Sequence, residues 1–535
     1  MEFPMNNLPN IFCICIDALR YDCISAEQER PLLEKYGVAG KVNTPTIDRL
    51  AKSGVRFRQA ISSAIHTPPS LASIFTGLYP PHNGVQAFFK TQLHSEIMTI
   101  AELLSTAGYH CIHATEFPYI KLLGLERGVH QSFSTDDERL FDYIKKQNQP
   151  VYLFLHFFDV HDPYLCSPAM EFHYNKEYRE IFITLTQRLN IPVKDEPFPF
   201  IRTFQSLIKT LFDNGDLPTI LSLYINGVNK FDRERFTDFL TKLNTTGLFD
   251  NCLQFLFSDH GEGAGKENFG HGNELYDGMI RTPLIISYPG FIPEGKTSDV
   301  QVRLIDILPT IIDVLQRLGV HLSLPYPIDG KSLLPVIEKH EKEHRQAYSE
   351  LWFHTLSPPE MKDFLDHCLE ERQLLSPHYN TYLHQRSLRC PPWKIILEGS
   401  EVAKMDLSLS NSDDEFIQIL FTSLFNRKPT SPEINKLKNM ITGKNATRTS
   451  LRDELINRRE FSIRNELHNI SIDAAEQINY LVSHPDDEIL HLYFTLKTTA
   501  DQIFLSSREK PKQIIYESFE EHRVVEDRLR SLGYL

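Results

Sequence analysis

The sequence of 535 residues has no run of about 18 consecutive apolar residues, the length that a membrane-spanning helix needs. It also lacks the pattern of a secretory signal peptide, because the apolar run at 11–16 is short and no basic residue precedes it. We therefore expect a protein without membrane spans that resides in the cytoplasm.

Cysteine is scarce and unclustered. The eight cysteines include no CxxC pair of the kind that binds metal, and Cys13, Cys15 and Cys252 lie inside apolar, strand-like runs. This distribution predicts reduced, buried and structural thiols, which fits the cytoplasm.

Positive charge is also in deficit. The chain has 56 basic and 70 acidic residues, for a formal net charge of −14. Neither nucleic acid nor an anionic membrane attracts such a chain, which argues against both as general partners. The apolar fraction of 41% and the charged fraction of 24% are ordinary for a globular protein. By length alone the chain could hold two to four domains, although one large α/β domain can take up most of such a length.

The first chemical signal is a carboxylate at the end of a strand. The β-branched run at 11–16 shows no alternation, which is typical of a strand buried on both faces of a parallel sheet. Asp17 follows directly, where open α/β sheets bind their ligands. The alternative is that Asp17 only caps the next turn.

A second apolar strand, at 151–157, leads into a group of polar side chains. His156, Asp159, His161 and Asp162 lie within seven residues of one another. A lone histidine here would more often be a buried core residue. Two histidines and two acids leaving one strand indicate a site.

A third strand, at 252–257, is followed by Asp259 and His260. An oxygen ligand next to an imidazole suits a metal ion, and the glycine that follows lets the backbone turn sharply. His271 supplies a further imidazole between two glycines.

The stretch 64–85 carries a hydroxyl in front of a short helix. Thr67 precedes two prolines and a helix predicted over 70–76, which Gly77 ends. An anion would gather at these helix amides. The alternative is a threonine that only caps the helix.

Taken in order, these segments resemble the sulfatase-like branch of the alkaline phosphatase/sulfatase superfamily. The matching segments are IDALRYD at 16–22, TPTIDRLAKSGVRF at 44–57, TPPSLASIFTGLYPPHNGV at 67–85, HFFDVHDPY at 156–164, SDHGE at 258–262, GHGNELYDGMIRTPLII at 270–286, RSLRCPPWKII at 386–396 and LRSLGYL at 529–535. The resemblance implies an α/β, three-layer sandwich with a mostly parallel central sheet over 1–385. A smaller α+β subdomain would follow over 386–535.

The resemblance also implies a cation site. Asp17, Asp259 and His260 would hold one divalent metal ion, with the Thr67 hydroxyl placed on it as the nucleophile. Two carboxylates, one imidazole and an alkoxide suit Mn²⁺, Zn²⁺, Mg²⁺ or Ca²⁺, so the metal stays open.

The remaining predicted site residues act on the substrate. By resemblance, His161 and His271 are catalytic residues beside Thr67, since they match positions that contact the anion or protonate the leaving oxygen. We also expect Asp159 to bind substrate. The predicted substrate is a small-molecule or glycan-linked anionic ester.

The sequence departs from the family pattern in ways that bear on the substrate. Sulfatases have cysteine or serine where this chain has Thr67, and threonine cannot become formylglycine. They have arginine at the position of Leu71 and a second aspartate at Ala18, and the usual lysine and histidine are missing from 114–118. These changes favour a phosphodiester or phosphonate over a sulfate ester. Transfer of a phosphoryl-linked group to a glycan, or an inactive binding protein, are the alternatives.

One segment interrupts the predicted C-terminal subdomain. Residues 405–463 separate two strand-like runs, and DDEFIQILFTSLFNRKPTSPEINKLKNMITG within them resembles a helical module found in bacterial surface-polysaccharide proteins. We expect a helical appendage that docks a protein or surface partner. An ordinary helical excursion is the alternative.

Overall fold

The computed structural model describes most of the chain. The described residues are 8–86, 92–117, 119–165, 176–192, 199–263, 270, 274–354, 381–398, 412–414, 416–418, 429–442, 447–448, 465–484 and 487–506. Among them, no helix is both long and apolar enough to cross a membrane.

Two β-sheets organise the described residues. The strands are β1 Asn10–Ile16, β2 Val55–Ile61, β3 His110–Thr115, β4 Gln131–Phe133, β5 Val151–Phe157, β6 Cys252–Phe257, β7 Arg281–Ser287, β8 Lys296–Ser298, β9 Val302–Arg303, β10 Ala347–His354, β11 Thr381–Cys390, β12 Trp393–Glu398 and β13 Glu466–Asn469. The first nine strands form the large sheet, and the last four form a separate sheet.

The large sheet has the order β4-β3-β5-β1-β6-β7-β2-β8, with β9 also paired to β2. Every pairing is parallel except the two that β7 makes, with β6 and with β2. Because β5, β1 and β6 are parallel neighbours, their carboxyl ends lie side by side at one edge. The predicted mostly parallel sheet is confirmed.

The described residues also form α-helices. The α-helices are α1 Pro31–Lys35, α2 Pro45–Lys52, α3 Thr67–Thr76, α4 Pro80–Asn83, α5 Ile100–Thr106, α6 Tyr119–Leu122, α7 Arg139–Lys145, α8 Lys176–Arg188, α9 Pro199–Asp213, α10 Leu217–Lys230, α11 Thr237–Asn244, α12 Asp277–Ile280, α13 Ile307–Arg317, α14 Leu334–Ile337, α15 Ser431–Thr442, α16 Tyr480–Ser483 and α17 Asp487–Leu505. Short 3₁₀ turns occur at Tyr21–Cys23, Ala39–Lys41 and Leu304–Asp306, and a π-helical turn, Phe231–Phe236, joins α10 to α11.

The alternation of side chains along β1 builds a core on each face of the sheet. Ile11, Cys13 and Cys15 pack with residues of α3, α5 and α13, whereas the intervening Phe12, Ile14 and Ile16 pack with α2 and α7–α11. Two helical layers therefore enclose the sheet, as the predicted three-layer sandwich requires.

The second sheet is antiparallel, in the order β10-β11-β12-β13. Its first strand, Ala347–His354, precedes residue 386, where the sequence predicts the C-terminal subdomain to begin. The division of the chain at that residue stays a prediction. Strands β12 and β13 pair through Trp393–Asn469 and Ile396–Glu466, so the predicted module at 405–463 joins two adjacent strands.

A buried charge cluster ties the second sheet to α12. Arg389 Nη2 and Lys394 Nζ lie 2.8 and 3.1 Å from the two carboxylate oxygens of Asp277. Lys394 also lies 2.6 Å from Glu476 Oε1. We call these residues the Asp277 clamp. It fixes α12 against the second sheet.

Candidate active site

The candidate site lies at the carboxyl ends of β1, β5 and β6. Asp17 follows β1 directly, and its backbone N–H donates to the carbonyl oxygen of Phe157 at the end of β5, at 2.9 Å. Asp259 and His260 follow β6. Strand pairing therefore brings together side chains from distant parts of the sequence. For example, the backbone N–H of Ala18, next to Asp17, donates to Oδ1 of Asp259, which lies 241 positions further along the chain.

Helix α3 supplies the hydroxyl. The helix begins at Thr67, earlier than the predicted residue 70, because prolines are well tolerated in the first turn, and it ends at the left-handed Gly77. The hydroxyl of Thr67 does not serve as a helix cap. Its Oγ1 lies 3.2 Å from Asp17 Oδ2 and 3.3 Å from His260 Nε2.

The four predicted cation-binding residues converge. His260 Nε2 lies 3.5 Å from Asp17 Oδ1 and 3.5 Å from Asp259 Oδ2. Ligand atoms of Asp17, Asp259 and His260 all lie within 4.8 Å of one another, and the three residues are fully buried. Among the described residues, Asp17 Oδ1 and Asp259 Oδ2 have no hydrogen-bond partner. Buried, unsatisfied carboxylate oxygens fit a cation, because without one they carry a large desolvation cost.

Hydrogen bonds hold the loops of the site in place. Ser258 Oγ accepts from the N–H of Leu19 at 2.8 Å and donates to the carbonyl of His260 at 2.6 Å. Ser70 Oγ donates to the carbonyl of Asp259 at 2.7 Å. Helix α3 and both strand ends are thereby fixed to one another.

Glycine is required next to His260. The N–H of Gly261 donates to the carbonyl of Met279 in α12 at 2.7 Å. A Cβ at Gly261 would lie 2.0 Å from the carbonyl oxygen of Gly278, so no other residue permits this approach. The His260 loop therefore rests on α12, which the Asp277 clamp fixes.

The pKa values of Asp17 and Asp259 are shifted in opposite directions. Burial by itself raises the pKa of Asp17, but the hydrogen bond from His156 and the charges of His260 and His161 hold that pKa below its ordinary value. Burial and the neighbouring Asp17 raise the pKa of Asp259. A cation between them would favour the ionised form of both.

His156 belongs to the polar cluster at the end of β5, but no role at the site was predicted for it from the sequence. Its Nε2 lies 3.1 Å from Asp17 Oδ2, and its Nδ1 forms a 3.1 Å hydrogen bond with Thr115 Oγ1 at the end of β3. The signal in the sequence was its clustering with Asp159, His161 and Asp162 at the end of an apolar run. Its contact with Asp17 depends on β5 being the neighbour of β1.

The other predicted residues have distinct positions. His161 is buried, and its Nδ1 lies 2.7 Å from Asp162 Oδ1. Burial lowers its pKa, but Asp162 and Asp17 outweigh this and raise it to about 10. Asp159 faces Arg235 Nε at 3.4 Å, and burial raises the pKa of Asp159 to about 7. His271 lies outside the described residues, and the roles of all predicted site residues stay predictions.

The positions that depart from the sulfatase pattern have structural roles. Leu71 is fully buried in the core beneath α3. Glu116 accepts hydrogen bonds from the N–H of Thr135 at 2.8 Å and the hydroxyl of Ser134 at 2.5 Å. Ala18 adopts a left-handed conformation with φ 56°. An acid thus stands in the segment where the family has a lysine.

The fold and the site define a hydrolase of the alkaline phosphatase superfamily. A family model described as "Sulfatase" matches residues 9–317, more than half of the chain, and a second, "N-sulphoglucosamine sulphohydrolase, C-terminal", matches 269–367. The chain therefore belongs to the sulfatase family, which confirms the predicted family and class of enzyme.

Individual relatives are distant. An arylsulfatase of Clostridium perfringens is 24% identical over 63% of this chain and 80% of its own length. Against three ulvan-active sulfatases of Formosa agariphila, the match spans 48 to 65% of the relative's length.

Solved structures share the fold. One, bound to its substrate D-glucosamine-2-N,6-O-disulfate, superposes with a TM-score of 0.59 at 18% identity, covering 93% of this chain and 99% of that one. The phosphonate monoester hydrolase of Agrobacterium radiobacter superposes with a TM-score of 0.54 at 17% identity, covering 95% and 100%.

Proposed function

We propose that this chain is a metal-dependent hydrolase that cleaves a phosphorus ester with Thr67 as the unmodified nucleophile. The observation that carries the proposal is the position of Thr67 Oγ1, 3.2 Å from Asp17 and 3.3 Å from His260. A free alcohol is a weak nucleophile near neutral pH, and an activating group must adjoin it.

The role that we propose for each residue follows from its position in the site. Asp17, Asp259 and His260 would hold a divalent cation. That cation would lower the pKa of the Thr67 hydroxyl and take charge from a non-bridging oxygen of the substrate. The raised pKa of His161, about 10, keeps its imidazole protonated at neutral pH. It can then donate a hydrogen bond to the anion or a proton to the leaving oxygen. We assign a similar role to His271 and a substrate-binding role to Asp159.

The choice of a phosphorus ester depends on what surrounds the nucleophile. Thr67 cannot be oxidised to an aldehyde, Leu71 lies in the core, and Glu116 occupies the segment where sulfatases have a lysine. The arginine and lysine that sulfatases have in these two segments are therefore absent from this sequence. The likeness to a phosphonate monoester hydrolase agrees with this choice.

A sulfate ester of a sugar is the second candidate. It is favoured by the arylsulfatase relative and by the neighbour that binds a glucosamine disulfate. Since a phosphodiester and a sulfate ester each carry one negative charge, charge alone does not separate them.

The first experiment compares hydrolysis of bis(p-nitrophenyl) phosphate, a phosphonate monoester and p-nitrophenyl sulfate by one metal-loaded preparation. We expect the phosphorus esters to be cleaved faster. Faster cleavage of the sulfate would contradict the substrate assignment. Product analysis with a sugar acceptor identifies a transferase, and no turnover at all indicates a binding protein.

A second experiment tests the nucleophile. Thr67→Ala should lower kcat/KM by at least about 10³-fold, since the attacking oxygen is lost, whereas Thr67→Ser should retain measurable turnover. Thr76→Ala is the matched control, because Thr76 is buried in the same helix and its hydroxyl donates to the carbonyl of Ala72, away from the candidate site. Undiminished turnover in Thr67→Ala would refute the assignment.

A further inference from the structure

A second group of ligand-type side chains lies beside the first. Ligand atoms of Cys15, His156 and Asp259 all lie within 4.8 Å of one another, and all three residues are fully buried. Strand register explains the grouping: Cys15 of β1 is the cross-strand neighbour of His156 in β5 and of Phe257 in β6, two residues before Asp259.

Two members of this group have the surroundings of a metal ligand. Thr115 Oγ1 forms a hydrogen bond with Nδ1 of His156, and Nε2 of His156 lies 3.1 Å from Asp17 Oδ2, at the neighbouring cation position. Metal-bound imidazoles typically have such a supporting hydrogen bond. Asp259 Oδ2 is buried and has no hydrogen-bond partner among the described residues.

Cys13 is a useful comparison, because it is a buried cysteine of the same strand that lies outside the proposed group. It lies two residues before Cys15 on the same face of β1 and is equally buried. Within the described part of the chain, it belongs to no group of ligand-type side chains. The grouping at Cys15 is therefore more than the burial of one thiol.

We propose that Cys15, His156 and Asp259 form a second cation position, which shares Asp259 with the position at Thr67. A sulfur and a nitrogen ligand select Zn²⁺ or a similar transition metal over Mg²⁺ and Ca²⁺. On binding, the Cys15 thiol releases its proton to solvent and a metal–sulfur bond takes its place. The inference does not depend on which ester the enzyme hydrolyses.

Cobalt titration tests the proposal on the full chain. The protein is stripped of metal with a chelator, titrated with Co²⁺ without oxygen, and followed by the near-ultraviolet sulfur-to-cobalt charge-transfer band. Zinc content after reloading is measured in parallel by mass spectrometry. We expect a charge-transfer band and a second bound equivalent of zinc in the wild-type protein. Cobalt binding without the band, or a single equivalent of zinc, would overturn the proposal, and neither outcome requires a variant to fold.

Variants then assign the ligands. Cys15→Ser should lose the band and the second equivalent, whereas Cys13→Ser, the matched control, should keep both. Thr115→Val, which removes the hydrogen bond to His156, should weaken binding at the second position by about 10–100-fold. Persistence of the band in Cys15→Ser would refute the assignment. Thr67→Ala should leave the band intact, so a wrong nucleophile and a wrong second position give different results.

Discussion

His156 shows how much of the site one residue's sequence context can reveal. Asp17, Asp259 and His260 follow buried strands, so their position at the sheet edge could be predicted from the apolar runs before them. His156 lies inside such a run, where a histidine is usually a core residue. Its contact with Asp17 became visible only with the order β5-β1-β6, which local sequence does not encode.

At the residue scale, the raised pKa of His161 leads to a prediction about how stability depends on pH. Its pKa in the folded protein is about 10, above its ordinary value of 6.5. The stabilisation that its proton provides is therefore complete below about pH 6.5 and is lost as the pH rises through about 10. In metal-free protein, we expect His161→Gln to lower the free energy of unfolding most at low pH, with the deficit shrinking towards pH 10. Urea unfolding across this range measures it.

The control is His340→Gln, because the His340 side chain is 75% exposed. Its effect on unfolding should be small. If the loss of free energy of unfolding in His161→Gln grew as the pH rises, the predicted direction of the pH dependence would be wrong.

At the scale of elements, the positions of the strands along the chain were easier to predict than the way the strands pair in the sheets. Buried, β-branched runs identify β1, β5 and β6, and two prolines mark the start of α3. The membership of β10 in the second sheet could not be read in this way, because it depends on pairing with β11 across residues 355–380.

The pairing of β12 with β13 leads to a prediction for the segment between them. Ile396 and Glu466 are cross-strand neighbours, so a short turn can replace 405–463 without moving either strand. We expect this deletion to leave turnover of bis(p-nitrophenyl) phosphate unchanged, because we propose that the segment serves docking. Lost activity in a variant whose circular dichroism and melting temperature match the wild type would contradict this.

At the scale of the whole molecule, the Asp277 clamp connects the second sheet to the candidate site. Arg389 and Lys394 of the second sheet hold Asp277, and Met279 of the same helix holds Gly261 beside His260. Burial raises the pKa of Asp277, but these two cations outweigh it and hold the pKa below its ordinary value. The small sheet therefore contributes to the geometry of a site to which it supplies no proposed ligand.

Replacing Asp277 tests this connection. Asp277→Asn leaves two buried cations without their shared partner, so we expect a loss of about 3–5 kcal/mol in the free energy of unfolding and weaker cation binding. Because the depressed pKa stabilises the fold above pH 3.8, the deficit should shrink as the pH falls below that value. Asp213→Asn, which removes an exposed pair with Lys209, should change stability by less than about 0.5 kcal/mol. Equal effects of the two substitutions would refute a special role for the clamp.

The position of β6 between β1 and β7 has a consequence for synthesis on the ribosome. β1 and β5 can pair once residue 157 has emerged, but the other edge of β1 stays open until residues 252–257 are translated. At about 5–20 residues per second, that edge is open for about 5–20 s, and open strand edges are where nascent chains associate with one another. Asp259 and His260 emerge directly after β6. The event that closes the edge of β1 also completes the proposed set of cation ligands, so a ribosome-bound fragment that ends before β6 has the hydroxyl of Thr67 without Asp259 and His260.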